Sequence, residues 1–253
     1  YLKNGWAYAL QSVEIVGMNS ISSARSMFIG CRNLISVDVS KWNSSNVTSC
    51  YRMFRGCSSL VNLDLSAMNT SKVTEMHEMF ANCTSLTNLN IVPNETNGTW
   101  NTSKVGGTSS MFSGCSSLEY MLPENYSITS GFVTLDRTNA EIVFDSSAVT
   151  NMQSMFENCS SLKNLYATNW NVSKVSYMSN MFKNCSSMNF LDCGNWNTSP
   201  VQSMNAMFSG CGEMNDDSVD FSSWCVSGFN TGEPSAFRSG TDITEAPAWG
   251  QSC

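Results

Sequence analysis

Apolar residues recur along the chain in a two-part rhythm. Met152, Met155, Phe156, Cys159 and Leu162 fall at offsets of 0, 3, 4, 7 and 10. That spacing gathers them on one face of a short helix. In "LVNLDLS", Leu63 and Leu65 alternate with Asn62 and Asp64, the two-residue period of a half-buried strand. "WNTSKV" then supplies turn residues, and its Thr or Ser is suited to cap the next helix. One unit therefore reads as turn, short helix, strand. A helix of about two turns is not stable alone in water, and neither is a lone strand. Stacked units bury their apolar sides against one another.

The unit repeats. "MF" followed three positions later by Cys occurs seven times, at Cys31, Cys57, Cys83, Cys115, Cys159, Cys185 and Cys211. Their spacings are 26, 26, 32, 44, 26 and 26. The excesses read as insertions into a fixed frame, near 92–99 and 119–148. Within the second, "FVTL-DRTN-AEIVF" reads as two strands around a polar turn, a projecting hairpin. "LQSVEIVGMNSISSARSMF" fits a degenerate first coil, with "YLKNGWAY" as an edge. The solenoid is expected over residues 1–224 and a C-terminal capping segment over 225–253.

The segments "MFANCTSLTNLN", "MFENCSSLKNLYATNWNVSKVSYM" and "MFKNCSSMNFLDCGNWNTSPVQSM" resemble the repeat of the BspA-type leucine-rich-repeat surface proteins, "MFxxCxSLxxLDLSxWNTSxVTxM". The resemblance spans roughly residues 12–224, and the end "SSWCVSG…AWGQSC" resembles the segment that often closes such arrays. It implies an α/β repeat solenoid: a right-handed coil with one parallel β-sheet face and short helices opposite. It also implies surface exposure and binding or adhesion, with no known reaction. Met68 departs from the pattern at the repeat Trp, and Ala167 and Cys193 depart at the strand Leu.

Charge narrows the function classes. Only 13% of residues are charged and the formal net charge is −7, so the surface is built largely from Ser, Thr and Asn. An acidic surface repels phosphate backbones, which argues against a nucleic-acid partner. No run of eighteen or more apolar residues exists to span a membrane. The start has neither Met nor a basic-then-apolar signal pattern, and the chain reads as a processed product or a fragment.

The eleven cysteines set the chemistry. The seven repeat thiols share one slot and are expected to form a column of buried, unreactive thiols. Cys50 falls in a Met slot and Cys193 in a strand Leu slot, both interior. Cys225 and Cys253 lie outside the repeat and suit a disulfide holding the final loop over the last coil; two further packed thiols are the alternative. No CxxC occurs and His77 is the sole histidine, so no metal site and no cofactor are expected. Calcium is less easily dismissed, since the strands carry outward Asp38, Asp64 and Asp192, but no EF-hand or glycine-aspartate loop pattern appears. One histidine, no nucleophile elbow and buried thiols leave no catalytic residues to name.

Register assigns the outward strand positions. One row is Ser36, Asn62, Asn88, Tyr120, Asn164 and Phe190; the next is Asp38, Asp64, Asn90, Tyr166 and Asp192. Amides and acids beside Tyr120, Tyr166 and Phe190 suit a glycan or a protein on a cell surface, and the two insertions are rival binding loops. A non-enzymatic recognition or adhesion module, extracellular or on a cell or virion surface, is the first expectation. The second is a structural subunit of a filament, appendage or virion, phage fibres included, contacting neighbouring subunits. Twelve N-x-S/T sequons occur; most follow from the repeat, since "WNTS" is its turn and Asn82, Asn158 and Asn184 precede repeat cysteines.

Overall fold

Each coil of the chain gives its neighbours two backbone seams with apolar columns between them. A computed structural model describes residues 9–18, 20–91, 100–119, 127–129, 132–134 and 144–251. The strands are β1 (Ser12–Glu14), β2 (Ser36–Asp38), β3 (Asn62–Asp64), β4 (Asn88–Asn90), β5 (Ser127–Thr129), β6 (Phe132–Thr134), β7 (Asn164–Tyr166) and β8 (Phe190–Asp192). Repeat strands are parallel and in frame: Val13 pairs with Val37, Leu63 with Leu89 and Leu165 with Leu191. The middle residue faces inward, as alternation requires: Val37, Leu63, Leu165 and Leu191 are all buried. The strands form separate pairs, β1–β2, β3–β4 and β7–β8, so the ladder is less continuous than one sheet face would be. Each strand has only three residues between turns, too few to propagate a ladder unaided.

Continuity lies on the opposite side, where the short helices were expected. That expectation is corrected: residues 152–162 form successive turns. The amides of Met152, Ser154, Phe156 and Asn158 donate to the carbonyls of Tyr177, Ser179, Met181 and Lys183 in the next coil, at 2.8–2.9 Å. The intervening amides of Met155, Glu157 and Cys159 donate three residues back, to Met152, Ser154 and Phe156. An α-helix would spend every amide internally and leave none for the neighbouring coil. Dividing the amides between local and lateral acceptors satisfies the backbone and binds the stack. The apolar spacing is the same in both cases. Parallel bridges continue this seam through Ser49, Glu75, Gly107, Asn151, Tyr177 and Ser203.

Turning so sharply places two residues per arc in the left-handed region. In the coil just described they are Ser154 (φ 55°) and Asn158 (φ 63°). The second slot, immediately before the repeat cysteine, holds Gly30, Gly56, Asn82, Gly114, Asn158, Asn184 and Gly210, all at positive φ. Glycine and asparagine are the residues that adopt this conformation at least cost. The sequons at Asn82, Asn158 and Asn184 thus trace to a backbone demand.

Three interior columns run along the axis. The rings of Phe28, Phe54, Phe80, Phe112, Phe156, Phe182 and Phe208 stack with centroids 5.2–5.8 Å apart. Each such pair contributes about 0.5–1.5 kcal/mol beyond area burial. Beside them lie the buried methionines and the buried repeat cysteines. Trp170, Trp196 and Trp224 form a second stack. In the turns, the Asn43, Asn69, Asn101, Asn171 and Asn197 carboxamides accept from the amide two residues on. The next residue is buried, and at three of these turns it crosses between coils: Ser44 Oγ donates to the Asn69 carbonyl, Thr70 Oγ1 to the Asn101 carbonyl and Thr198 Oγ1 to the Cys225 carbonyl. These hydroxyls join coils, where a helix cap was expected.

The second insertion also differs from its expected form. Phe132–Thr134 pairs antiparallel with Ser127–Thr129, so "FVT" is the second arm of the hairpin. The expected partner "AEIV" lies outside the described residues. Phe144 is a buried core residue whose ring packs 5.1 Å from Trp170. "FDSS" thus stands where other units have "WNTS", and the Asp145 carboxylate accepts from the Ser147 amide as the turn asparagines do. The coil frame also runs past Trp224. Ala206, Phe208 and Gly210 donate to the carbonyls of Ser235, Phe237 and Ser239, and Ala236 and Gly240 have positive φ. Residues 235–241 form one more arc.

This last arc carries a lid. Phe237 meets Phe208 edge-on at 88° and Trp249 at 82°, ending the parallel stack. The Arg238 guanidinium donates to the carbonyls of Ile243, Thr244 and Glu245 and pairs with Glu233. The Asp216 carboxylate accepts from the amides of Thr244 and Glu245 and from the Thr244 hydroxyl.

Candidate functional site

The described part of the strand face divides into two chemically different halves. Toward β1 the outward groups bond to one another along the axis. Ser12 and Ser36 hydroxyls lie 2.9 Å apart, and Asn88 Nδ2 donates to Asn62 Oδ1 at 2.6 Å. Exposed Ile35 and Val61 flank them. Toward β8 the rings of Tyr166 and Phe190 pack 5.2 Å apart at 48°. Both are half-buried, as are Asn164 and Asp192. The Lys163–Glu119 ion pair (2.9 Å) borders this patch. Tyr120 lies outside the described residues, so the aromatic pair is the part of the expected cluster that the structure brings together. Asn90 is half-buried on β4, and Asn62 and Asp64 are exposed on β3.

Two outward acids have a structural occupation. Asp38 and Asp64 each accept from the amide two residues on, Ser40 and Ser66, at 2.8 Å, and Asp220 does the same for Ser222. Hydrogen bonds from Ser40 hold the Asp38 carboxyl below its ordinary range, and bonds from Ser222 do so for Asp220. These carboxylates fix the turn that follows the strand. Among the described residues no group of three or more His, Cys, Asp or Glu side chains is placed to hold a metal ion.

The thiols are chemically quiet. Cys57, Cys83, Cys115, Cys159, Cys185 and Cys211 each donate to the carbonyl of the phenylalanine one coil back, at 3.0–3.2 Å. Cys31, in the same slot of the first arc, is also buried and free. Burial pushes these thiols upward, Cys211 to about 12, and Cys50 likewise to about 12. A thiol held protonated in the interior is neither nucleophile nor ligand. Cys225 is disulfide-bonded; Cys253 lies outside the described residues.

One cluster was not foreseen. On the rim of the arcs, Arg25 pairs with Glu75 at 2.8 Å while Ser49 donates to the same carboxylate. Arg25 and Arg52 both lie over the Tyr51 ring, 4.3 and 4.6 Å from its centroid, and Arg52 pairs with Glu78 at 2.7 Å. His77 Nδ1 lies 2.6 Å from Ser109 Oγ. Its ring fills the space over Gly107, where an added Cβ would fall 2.1 Å from it. Burial holds His77 below the ordinary imidazole range. These charges already satisfy one another, which describes a clamp across three coils. The signal was available: positions 25, 51 and 77 share one repeat slot. Beside it, Gly30 and Gly56 lack the side chain that Asn82 carries, which leaves a shallow groove of about 440 Å³ bordered by Ile29 and Arg55.

No helix among the described residues is long and apolar enough to cross a membrane. The chain matches the family described as "Mycoplasma protein of unknown function, DUF285" over residues 3–126 and again over 126–244. No curated protein matches it. Among solved structures it is similar to a leucine-rich repeat protein from Eubacterium ventriosum (14% identity, TM-score 0.44, 94% of this chain). It spans 45% of that protein's length. It is also similar to a leucine-rich repeat protein from Bacteroides ovatus (15% identity, TM-score 0.28, covering 81% of this chain and 78% of that one). A third similarity is to a leucine rich cell surface protein from Faecalibacterium prausnitzii (17% identity, TM-score 0.23, 81% of this chain and 78% of that one).

Proposed function

We propose that this chain, which belongs to the BspA-type leucine-rich-repeat family through its DUF285 matches, is a non-enzymatic recognition module displayed on a cell or virion surface. It binds a glycan or a surface protein through the strand face at Tyr166 and Phe190. The observation that carries this reading is the aromatic pair itself. Two half-buried rings 5.2 Å apart stand between an amide, Asn164, and a carboxylate, Asp192. Flat apolar surface edged by hydrogen-bonding groups is the chemistry that sugars and protein loops dock against. The buried, protonated thiols and the self-paired charges of the arc rim support a role without catalysis.

The test is a glycan array and a surface-protein binding screen with the intact chain and a Tyr166→Ala/Phe190→Ala variant. Loss of about tenfold or more in affinity at unchanged melting temperature supports the strand face. Binding that survives the double substitution moves the site to the insertions at 92–99 and 119–148. A hydrolytic activity abolished by one acid substitution would overturn the reading as a whole.

A further inference from the structure

We propose that the strand face at Tyr166 and Phe190 receives an arginine side chain of a partner protein, its guanidinium laid on the rings and paired with the Asp192 carboxylate. This rests on the strand-face recognition reading and narrows it, from a glycan or a protein to a basic protein segment. The outward row on this side runs Tyr166, Asp192, Asp220. Tyr166 stands opposite Asp192 in the β7–β8 register, and Leu191 bridges Val219, so Asp220 follows one coil on. Neighbours in such a row lie about 4.8 Å apart. Phe190 leans on Tyr166 from the adjoining row, the ring centroids 5.2 Å apart at 48°. The patch is therefore two rings with two carboxylates beside them.

Like charges side by side on a sheet destabilise it. Elsewhere on this face the polar groups are already engaged: Asn88 donates to Asn62, and Asp38 and Asp64 fasten turns. The half-buried Asp192 carboxylate, in contrast, makes no ion pair and accepts no hydrogen bond among the described residues. Lys163, which borders the patch, is paired with Glu119. A neutral sugar would leave the two aspartate charges uncompensated, and an acidic one would add to them.

The chain itself shows what completes such a set. On the arc rim, Arg25 and Arg52 lie over the Tyr51 ring, 4.3 and 4.6 Å from its centroid, and pair with Glu75 and Glu78. That clamp is a ring, two acids and two guanidinium groups. The strand face has the rings and the acids, and no arginine among the described residues pairs with them. Aromatic faces attract cations, and a guanidinium can stack on a ring while its edge pairs with a carboxylate. The formal net charge of −7 further steers a basic partner toward the molecule.

The test is fluorescence anisotropy of the intact 253-residue chain with a labelled peptide alternating arginine and glycine, and with the same peptide carrying citrulline for arginine. Citrulline keeps the planar shape and loses the charge. The arginine peptide is expected to bind about tenfold or more tightly than the citrulline peptide, and to weaken as salt is raised. Asp192→Asn/Asp220→Asn is expected to cost about tenfold. Its fold is kept, because asparagine already fastens such turns at Asn69 and Asn197. Glu213→Gln/Glu245→Gln removes equal charge from exposed positions off the strand face and is expected to bind as the wild type does. Equal loss in both double variants is diffuse attraction to an acidic chain and overturns the proposal, as does equal binding of the citrulline peptide. The two readings fail separately. An arginine peptide that does not bind, beside a glycan or surface protein captured by the wild type and lost in Tyr166→Ala/Phe190→Ala, overturns the arginine assignment alone. Arginine-peptide binding that persists in that aromatic variant overturns both.

Discussion

The thiol of Cys57 donates to the backbone carbonyl of Phe28, one coil back, at 3.2 Å and out of contact with solvent. The same carbonyl also accepts from the Cys31 amide. The sulfur thus adds a second, weak bond to an acceptor that is already satisfied. The repeat places this one relationship at six successive interfaces.

Cys57→Ala is expected to cost about 1 kcal/mol or more, mainly from the void it opens in a close-packed column. Urea denaturation measures it. Ligand binding at the strand face is expected to be unchanged, because no reactive group is removed.

Alkaline pH is expected to unfold the chain steeply. Burial raises the folded-state values of the repeat thiols and of Cys50, whereas an unfolded thiol ionises near 8.5. Below that value both states are protonated and the contribution is complete. Above it the unfolded state alone loses protons, and each thiol weakens the fold by about 1.4 kcal/mol per pH unit until its folded value is reached. Circular dichroism between pH 8 and 11 checks this, and replacing two column cysteines by alanine is expected to flatten the slope.

Asn158→Gly is expected to be nearly neutral, and Asn158→Val to cost about 1–2 kcal/mol, because a branched side chain resists the left-handed backbone at φ 63°. Thermal melting of the pair separates this backbone demand from any effect of losing a glycosylation sequon, since both variants lose it.

Acid below the ordinary carboxylate range is expected to loosen the lid before the coils. Bonds from Thr244 and Glu245 hold the Asp216 carboxyl below its ordinary range. Its contribution is present above the unfolded carboxyl value and is lost as pH falls through the folded one. Hydrogen exchange at residues 243–250 is expected to quicken first. Asp216→Asn should produce the same loosening at neutral pH.

The periodic part of this fold was legible in the chain. Cys, Met and Phe slots repeat at fixed spacing, and Leu63 and Leu65 turn inward as their alternation requires. The helix was misread because offsets of 0, 3, 4 and 7 fit a curled run of turns equally well. The discriminating residues were Gly30, Gly56 and Gly114, poor choices for a helix interior and good ones for positive φ. The last arc was also in view: "SAFRSG" at 235–240 follows "NAMFSG" at 205–210, but with Phe in the Met slot and Arg in the Phe slot it does not register as a repeat. Of the strand-face candidates, Tyr166 and Phe190 could be brought together by counting alone. Asp38 and Asp64 could not be recognised as turn fasteners, because that depends on where the following amide points.

The alternation of local and lateral amides in each arc has a consequence for how such chains change length. Each coil receives and offers the same pattern of bonds, so nothing in one interface records how many precede it. Excising or duplicating a whole 26-residue unit rejoins two surfaces that already match, whereas removing ten residues breaks the frame on both sides. The molecule behaves as a ruler graduated in coils: its reach can be reset by recombination between units without redesigning any contact.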